Sequence, residues 1–364
     1  MDILTVNVGS SSVRLVAYDE GGKPIASERY EAPHGAADLL GAFLRAHPAV
    51  HVAAIGHRIV HGGPNLTAAC RVDAAVEAEI DRLGALAPLH NPAALAWLRA
   101  CRTVLGAGIA QVAVFDTALY AHLPVVASNY ALPHALVERL GLRRFGFHGL
   151  AHQSMQQQWS ALPGSAVRAG RVISLQLGAG CSITAMRDGN VIDTSMGFSP
   201  LEGLVMATRS GDVDAGLLLY LLRSGGFSPQ RLEALLNAES GLLGVSGLSG
   251  DLRVLLSSAD ARAQMAVDMY CYRARKYLGA YMAALGGVDA VLIGGGAGEH
   301  LPELRQRVLA GMDWCDIAID ERLNSTVVER PTRVSRPDGR VQVWVMPVDE
   351  SAIVLAEVRA VLAL

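Results

Sequence analysis

One pattern occurs twice in this chain at a fixed distance, and it constrains the fold more than any single motif. Residues 6–15 read VNVGSSSVRL: an apolar strand ending at Asn7, a glycine-serine turn, then a second strand. Residues 172–194, VISLQLGAGCSITAMRDGNVIDT, read the same way. Setting Gln176 on Asn7 sets Gly178 on Gly9 and Ala179-Gly180 on Ser10-Ser11, all at one offset of 169 residues. Both copies run on into a hairpin turn, Gly21-Gly22 and Asp188-Gly189. Similarity at one offset marks an internal duplication. A strand that turns through small residues offers backbone N–H groups and hydroxyls to phosphoryl oxygens, and Asn7 can reach a hydrated cation. The first copy alone fits a plain β-turn equally well. The repeat favours two phosphate hairpins on two domains that grip one nucleotide.

The rest of the chain supports an α/β architecture of about two domains. Its 364 residues are 51% hydrophobic, enough for large cores, and 38 are glycine,. Amphipathic helices are expected at 35–48, 72–87 and 92–106, with strands at 51–63 and 110–116. The run DAVLIGGGAGEHLPELRQRVLAG (289–311) reads as a buried strand, a glycine-rich turn and a helix. Such a turn suits either a tight βα connection or a nucleoside pocket; after two phosphate hairpins the pocket is the better reading. Thirty-one basic and 34 acidic residues give a net charge of −3 without a basic block, which argues against nucleic acid,. The apolar runs are too short and too interrupted for a membrane span. No signal peptide is visible in MDILTVN, and five cysteines without a CxxC suit reduced thiols, so a cytoplasmic location is expected,.

Several ordered blocks carry a resemblance across nearly the whole chain: NVGSSSVR (7–14), GHRIVHGG (56–63), LAPLHNP (86–92), VFDTA (114–118), RRFGFHGLAH (143–152), DTSMGFSPLEGLVMATRSGDVD (193–214), SGLLGVSGLSGDLR (240–253), GGAGE (295–299) and MPVDE (346–350). Together they resemble the acetate and propionate kinase family of the actin–hexokinase–Hsp70 superfamily. The resemblance implies duplicated ribonuclease H-like (actin-like ATPase) domains with an active-site cleft between them. The first would be 1–117 with the C-terminal helix 351–364, the second 118–350. It implies Mg²⁺-dependent transfer (Mn²⁺ as an alternative) of the ATP γ-phosphoryl group to acetate, giving acetyl phosphate and ADP, in a homodimer.

The chemistry asks for positioning and charge neutralisation more than for a base, because the acceptor carboxylate is already ionised. The resemblance gives Arg58 and Arg209 the task of holding acceptor and phosphoryl group; a buried ion pair is the structural alternative for each. His148 would stabilise the transition state, and His90 would have a smaller role or be a core histidine. His57, His61 and His152 would support the site by hydrogen bonding. Asp116 would complete the catalytic set and orient Arg58. Glu350 and Asn7 would serve the metal. Val60, Leu89, Phe147 and Pro200 would wall the substrate methyl group. Valine at 60, where propionate-preferring relatives carry alanine, favours acetate. The donor side would comprise Ser10, Ser12, Arg14, Gln176, Gly178, Ala179, Gly180, Asp251, Leu252, Arg253, Gly296, Ala297, Gly298, Glu299 and His300. Here the chain departs from the family: QLGAG stands for HLGNG, Arg14 for lysine, and His300 and Asp349 for asparagines. These changes lead to an expectation of weaker or altered donor use. A propionate or other short-chain acyl kinase, or a non-catalytic nucleotide sensor on the same fold, are the competing readings.

Overall fold

The computed structural model describes residues 2–9, 12–31, 35–88, 90–162, 170–326 and 329–364. Ser10 and Leu89 therefore lie outside the described residues. The chain forms two compact units: residues 1–121, 147–154 and 349–364, and residues 122–146 and 155–348.

The first unit contains β1 (Asp2–Val8), β2 (Ser12–Tyr18), β3 (Pro24–Glu31), β4 (Val52–Ile59), β5 (Cys70–Arg71) and β6 (Ala110–Phe115), in the sheet order β3-β2-β1-β4-β6-β5. β1, β4 and β6 are mutually parallel, and β2, β3 and β5 join antiparallel. The parallel strands are apolar on both faces because helices cover both. On one side Leu40 and Phe43 of the helix Ala36–Ala46 and Trp97 and Cys101 of the helix Asn91–Leu105 pack with Leu4, Val6 and Ile55. On the other, Ile353, Val354 and Val358 of the C-terminal helix Glu350–Leu362 pack with Ile3, Ala54 and Val112.

The second unit repeats this plan. β7 (Arg171–Leu177), β8 (Cys181–Arg187), β9 (Asn190–Thr194), β10 (Ala290–Gly294), β11 (Thr332–Arg333) and β12 (Gln342–Val345) lie in the order β11-β12-β10-β7-β8-β9. Read from the other edge, this is the first sheet strand for strand, with the same parallel and antiparallel pairings. The 169-residue offset joins the first strands of the two hairpins and becomes 168 in the returning strands: Asn7 faces Arg14 across its hairpin, and Gln176 faces Ser182 across the other, so the second turn is one residue shorter.

Three expected elements differ in extent. The strand expected over 51–63 runs only from Val52 to Ile59 and gives way to the turn at Gly62-Gly63. The helix expected over 72–87 ends at Arg82 and tightens into a 3₁₀ turn at Leu83–Ala85; Asp73 caps its start by accepting from Val76 N. The glycine-rich turn after β10 is itself a five-residue helix, Gly296–His300, with a second helix from Pro302 to Leu309.

Candidate active site

In the first unit, three neighbouring parallel strands end on polar residues, as ligand-binding α/β sheets do at their carboxyl ends. β1 carries Asn7, β4 carries Arg58 directly beside it in register, and Asp116 follows β6. Arg58 grips Asp116 with two prongs, Nε to Oδ1 at 3.1 Å and Nη2 to Oδ2 at 2.6 Å. Its Nη1 donates to Asn7 Oδ1 at 3.0 Å and lies 3.3 Å from Glu350 Oε2. Asn7 Nδ2 donates to the same Glu350 oxygen at 2.6 Å. Glu350 opens the C-terminal helix behind Asp349, whose carboxylate caps that helix by accepting from Ala352 N.

Burial pulls the Arg58 guanidinium down, but Asp116 and Glu350 more than reverse this, so its proton is held more tightly than usual. Burial raises the Asp116 carboxyl, and Arg58 opposes that rise; the backbone N–H of Leu150 also donates to this carboxylate. Leu150 stands in the first turn of the helix Gly149–Ala161, where exposed N–H groups favour an anion. The approach is close. A Cβ at Gly149 would sit 2.0 Å from the Asp116 carbonyl oxygen, so only glycine lets the helix start there. The preceding residue, His148, adopts φ 56°, a left-handed conformation that costs a non-glycine residue energy,. Phe147 is buried, its carbonyl accepts from the Tyr120 hydroxyl at 2.9 Å, and its ring meets His61 edge-on with centroids 5.4 Å apart. Val60 is buried just after β4.

The candidate histidines divide. His61 is locked by Asn91, which accepts from its N–H at 3.1 Å and donates to its carbonyl at 3.0 Å. His90 precedes the helix Asn91–Leu105. His57 is hydrogen-bonded to Gln111 at 2.7 Å, and burial lowers its pKa to about 4. His152 is fully buried and pushed down to about 3.

The second unit holds the other arginine. Arg209 is mostly buried, and burial lowers its pKa. Its Nη1 donates to the Pro200 carbonyl at 2.8 Å, and no carboxylate pairs with it among the described residues. The loop carrying it is fixed from outside: Asp212 accepts from Gly203 N at 2.8 Å and from the Tyr277 hydroxyl at 2.7 Å. Ala207 N donates to the Ala179 carbonyl at 2.9 Å, tying this loop to the second hairpin turn at Gly178, Ala179 and Gly180. Gln176 lies against Gly295, where a Cβ would come within 2.8 Å of the amide nitrogen. Gly296 and His300 are exposed, Ala297 is half-buried and Gly298 is buried. Glu299 folds back, its Oε1 accepting from Gly295 N at 2.9 Å and Val348 N at 3.1 Å. Asp251 caps the short helix Leu252–Leu256 and is paired with the exposed Arg253 at 2.6 Å; Leu252 is buried. Back in the first unit, Ser12 takes the Gly9 N–H on its carbonyl at 2.8 Å, and Arg14 is exposed.

A model of the Acetokinase family matches residues 22–356. The chain belongs to this family. It is 44% identical over 316 residues to an acetate kinase of Solibacter usitatus, covering 85% of this chain and 76% of that one. It is 36% identical to an acetate kinase of Phocaeicola vulgatus over 398 aligned residues, covering all of both chains. Among solved structures, the acetate kinase of Porphyromonas gingivalis superposes with a TM-score of 0.89 at 33% identity, and a propionate kinase of Francisella tularensis with 0.89 at 30%, each covering 99% of both chains. The two six-stranded sheets of this acetokinase family member are thus duplicated actin-like domains.

Sequence reasoning did not single out the buried Asn91, the Tyr120 hydroxyl, the Leu150 N–H, or the Asp212–Tyr277 pair. Asn91-Pro92 carried a signal, since proline suits the first turn of a helix,. The Leu150 amide carried none, because a backbone donor leaves no mark in residue type.

Proposed function

We propose that this protein is an acetate kinase that transfers the γ-phosphoryl group of ATP reversibly to acetate, giving acetyl phosphate and ADP. The observation that carries the proposal is the Arg58 cluster at the ends of β1, β4 and β6, in a chain of the acetokinase family. The acceptor is an anion and so is the donor; two unit charges at 4 Å repel by about 4 kcal/mol near a protein surface. Arg58, steadied by Asp116, holds the acceptor carboxylate and the transferring group. Arg209, which has no acid of its own, meets the phosphoryl oxygens with its planar fork. His148 donates to the charge that develops in transit. Val60 and Phe147 enclose the methyl group.

The donor set at Arg58 fits a hard divalent cation. Asp116, Glu350 and Asn7 offer two carboxylates and an amide oxygen. Two carboxylates against one guanidinium also leave this corner with one excess negative charge, the wrong sign for two anionic substrates. Among the described residues no group of three or more acids, histidines or cysteines could hold a metal alone, so phosphate oxygens and water would complete the shell. Glu350, with Asn7 and Asp116, would hold Mg²⁺ or Mn²⁺, which when bound neutralises phosphate charge.

The donor is an adenine nucleotide, on the support of the glycine turn 296–299 and the Asp251–Arg253 segment. The homodimer is proposed with support from the apolar helix Ala215–Arg223, where Leu217, Leu219 and Tyr220 are exposed. No helix among the described residues is long and apolar enough to cross a membrane. The five free cysteines fit a cytosolic enzyme,.

The test is a hydroxylamine trap with acetate, ATP and Mg²⁺. Acyl hydroxamate and ADP should form and vanish on chelation. Absence of product with acetate, propionate and butyrate alike would point to a non-catalytic nucleotide binder instead.

A further inference from the structure

The glycine turn after β10 leans on a buried arginine that no acid neutralises. Arg305 is 0% exposed. Its Nε donates to Asn324 Oδ1 at 2.7 Å, its Nη1 to the carbonyls of Gly298 and Glu299 at 2.7 and 2.9 Å, and its Nη2 to the Asn324 carbonyl at 2.7 Å. No carboxylate pairs with it among the described residues. Burying a guanidinium against carbonyl dipoles alone is costly, so the fold must gain something specific from it.

The sequence shows what that is. In an α-helix the carbonyl of Gly298 would accept from the amide of residue 302. This helix stops short of that bond: Leu301 leaves helical geometry at φ −115°, ψ 88°, and Pro302, which has no N–H, starts the next helix,. Arg305, three residues on, reaches back and supplies the missing donor to Gly298, with a second bond to Glu299. Asn324 completes the clamp, its Nδ2 donating to the Pro302 carbonyl at 2.9 Å. At the opposite end of the same five-residue helix, Glu299 holds the Gly295 and Val348 amides. A helix this short does not hold itself together. Here both ends are fastened by side chains, while Gly296 and His300 face solvent.

We propose that Arg305 is a positioning residue for nucleotide binding: it supplies donors to the Gly298 and Glu299 carbonyls left open where the short helix ends, and so fixes the backbone of the turn at residues 296–299,. The inference rests on the reading of that turn as part of the nucleotide site.

The experiment measures ADP binding by calorimetry, with KM for ATP and for acetate, in wild type, Arg305→Met, Arg305→Lys and the double variant Pro302→Ala/Arg305→Met. Arg305→Met should weaken ADP binding and raise KM for ATP tenfold or more, with KM for acetate within twofold. Arg305→Lys keeps the charge without the fork and should show the same split, smaller. Pro302→Ala should recover none of the lost affinity in the double variant, because Leu301 turns the chain out of the helix before an amide at 302 could meet Gly298. A folded Arg305→Met protein with unchanged ADP binding overturns the inference, as does an equal rise in both KM values. If the Met variants do not fold, the split in Arg305→Lys decides, and its absence overturns the proposal. A wild type that neither binds ADP nor forms acyl phosphate would instead overturn the functional reading.

Discussion

The two units present the same sheet corner with opposite electrostatics. In the first, Arg58 is surrounded by Asp116, Asn7 and Glu350, and every nitrogen of its guanidinium faces a partner at 2.6–3.3 Å. In the second, the strand position facing Gln176 is Gly294 rather than an arginine. Arg209 of that unit enters from a loop, and its guanidinium bonds to the Pro200 carbonyl with no carboxylate partner among the described residues. Duplication supplied the scaffold twice, and the chemistry was then divided. One corner holds a neutralised, rigid arginine beside acids that suit a cation. The other is glycine-rich, and among the described residues its arginine has no carboxylate partner. The same physical difference predicts that the two arginines fail differently when removed.

Turnover should be the largest casualty. Arg58→Met and Arg209→Met should each lower kcat by about 10³-fold or more, the scale of removing an arginine from phosphoryl transfer; steady-state kinetics with acetate and ATP checks this. A loss under tenfold in either would remove that arginine from the reaction.

Next comes the buried charge left behind. Arg58→Met strands Asp116 and Glu350 and should cost about 3–5 kcal/mol of stability, as breaking a buried pair does. Adding Asp116→Asn should return a large part of it. If the double variant is no more stable than the single one, the pair does not act as a unit.

The buried histidines give a smaller effect with a definite sign. His57 and His152 are held neutral, with pKa values lowered to about 4 and about 3 from an ordinary 6.5. Below pH 6.5 the unfolded chain takes up protons that the folded one refuses. Their contribution is therefore full above pH 6.5 and is lost as pH falls toward 4. Between pH 6.5 and 4.5 each should lose about 2–3 kcal/mol. Urea unfolding at the two pH values measures it, and His57→Gln should flatten the slope by one histidine's share. An unchanged slope would mean that His57 is not the neutral, shielded group its burial implies.

The smallest effect is on acceptor choice. Val60→Ala should improve the propionate-to-acetate ratio of kcat/KM by about tenfold, one methylene's worth of pocket. No change would place the methyl wall elsewhere.

How much of this was legible in the sequence follows the same division. The duplicated strands were readable because apolar runs, polar strand ends and glycine turns recur at one offset, and the strand orders of the two sheets bear that out. Asn7 and Asp116 could be named from the ends of apolar strands, whereas Arg58, inside the strand expected at 51–63, came from the family resemblance. The pairing of Arg58 with Asp116 was implied by the family resemblance and not by the pattern, since it depends on parallel registers between residues 50–110 positions apart. Glu350 required more still: it reaches Asn7 across 343 residues of sequence. The turn at 296–300 was read as glycine-rich loop chemistry. The structure adds a helix there, because Arg305 and Glu299 satisfy backbone groups that so short a helix would otherwise leave open.

The most direct test compares urea-unfolding midpoints of wild type, Arg58→Met and Arg209→Met at pH 7 in one buffer without substrates. The account predicts a clear drop for Arg58→Met. For Arg209→Met it predicts a stability within about 1 kcal/mol of wild type, because no acid is left unpaired. Equal drops, or a larger loss at Arg209, would contradict the division of labour between the two corners.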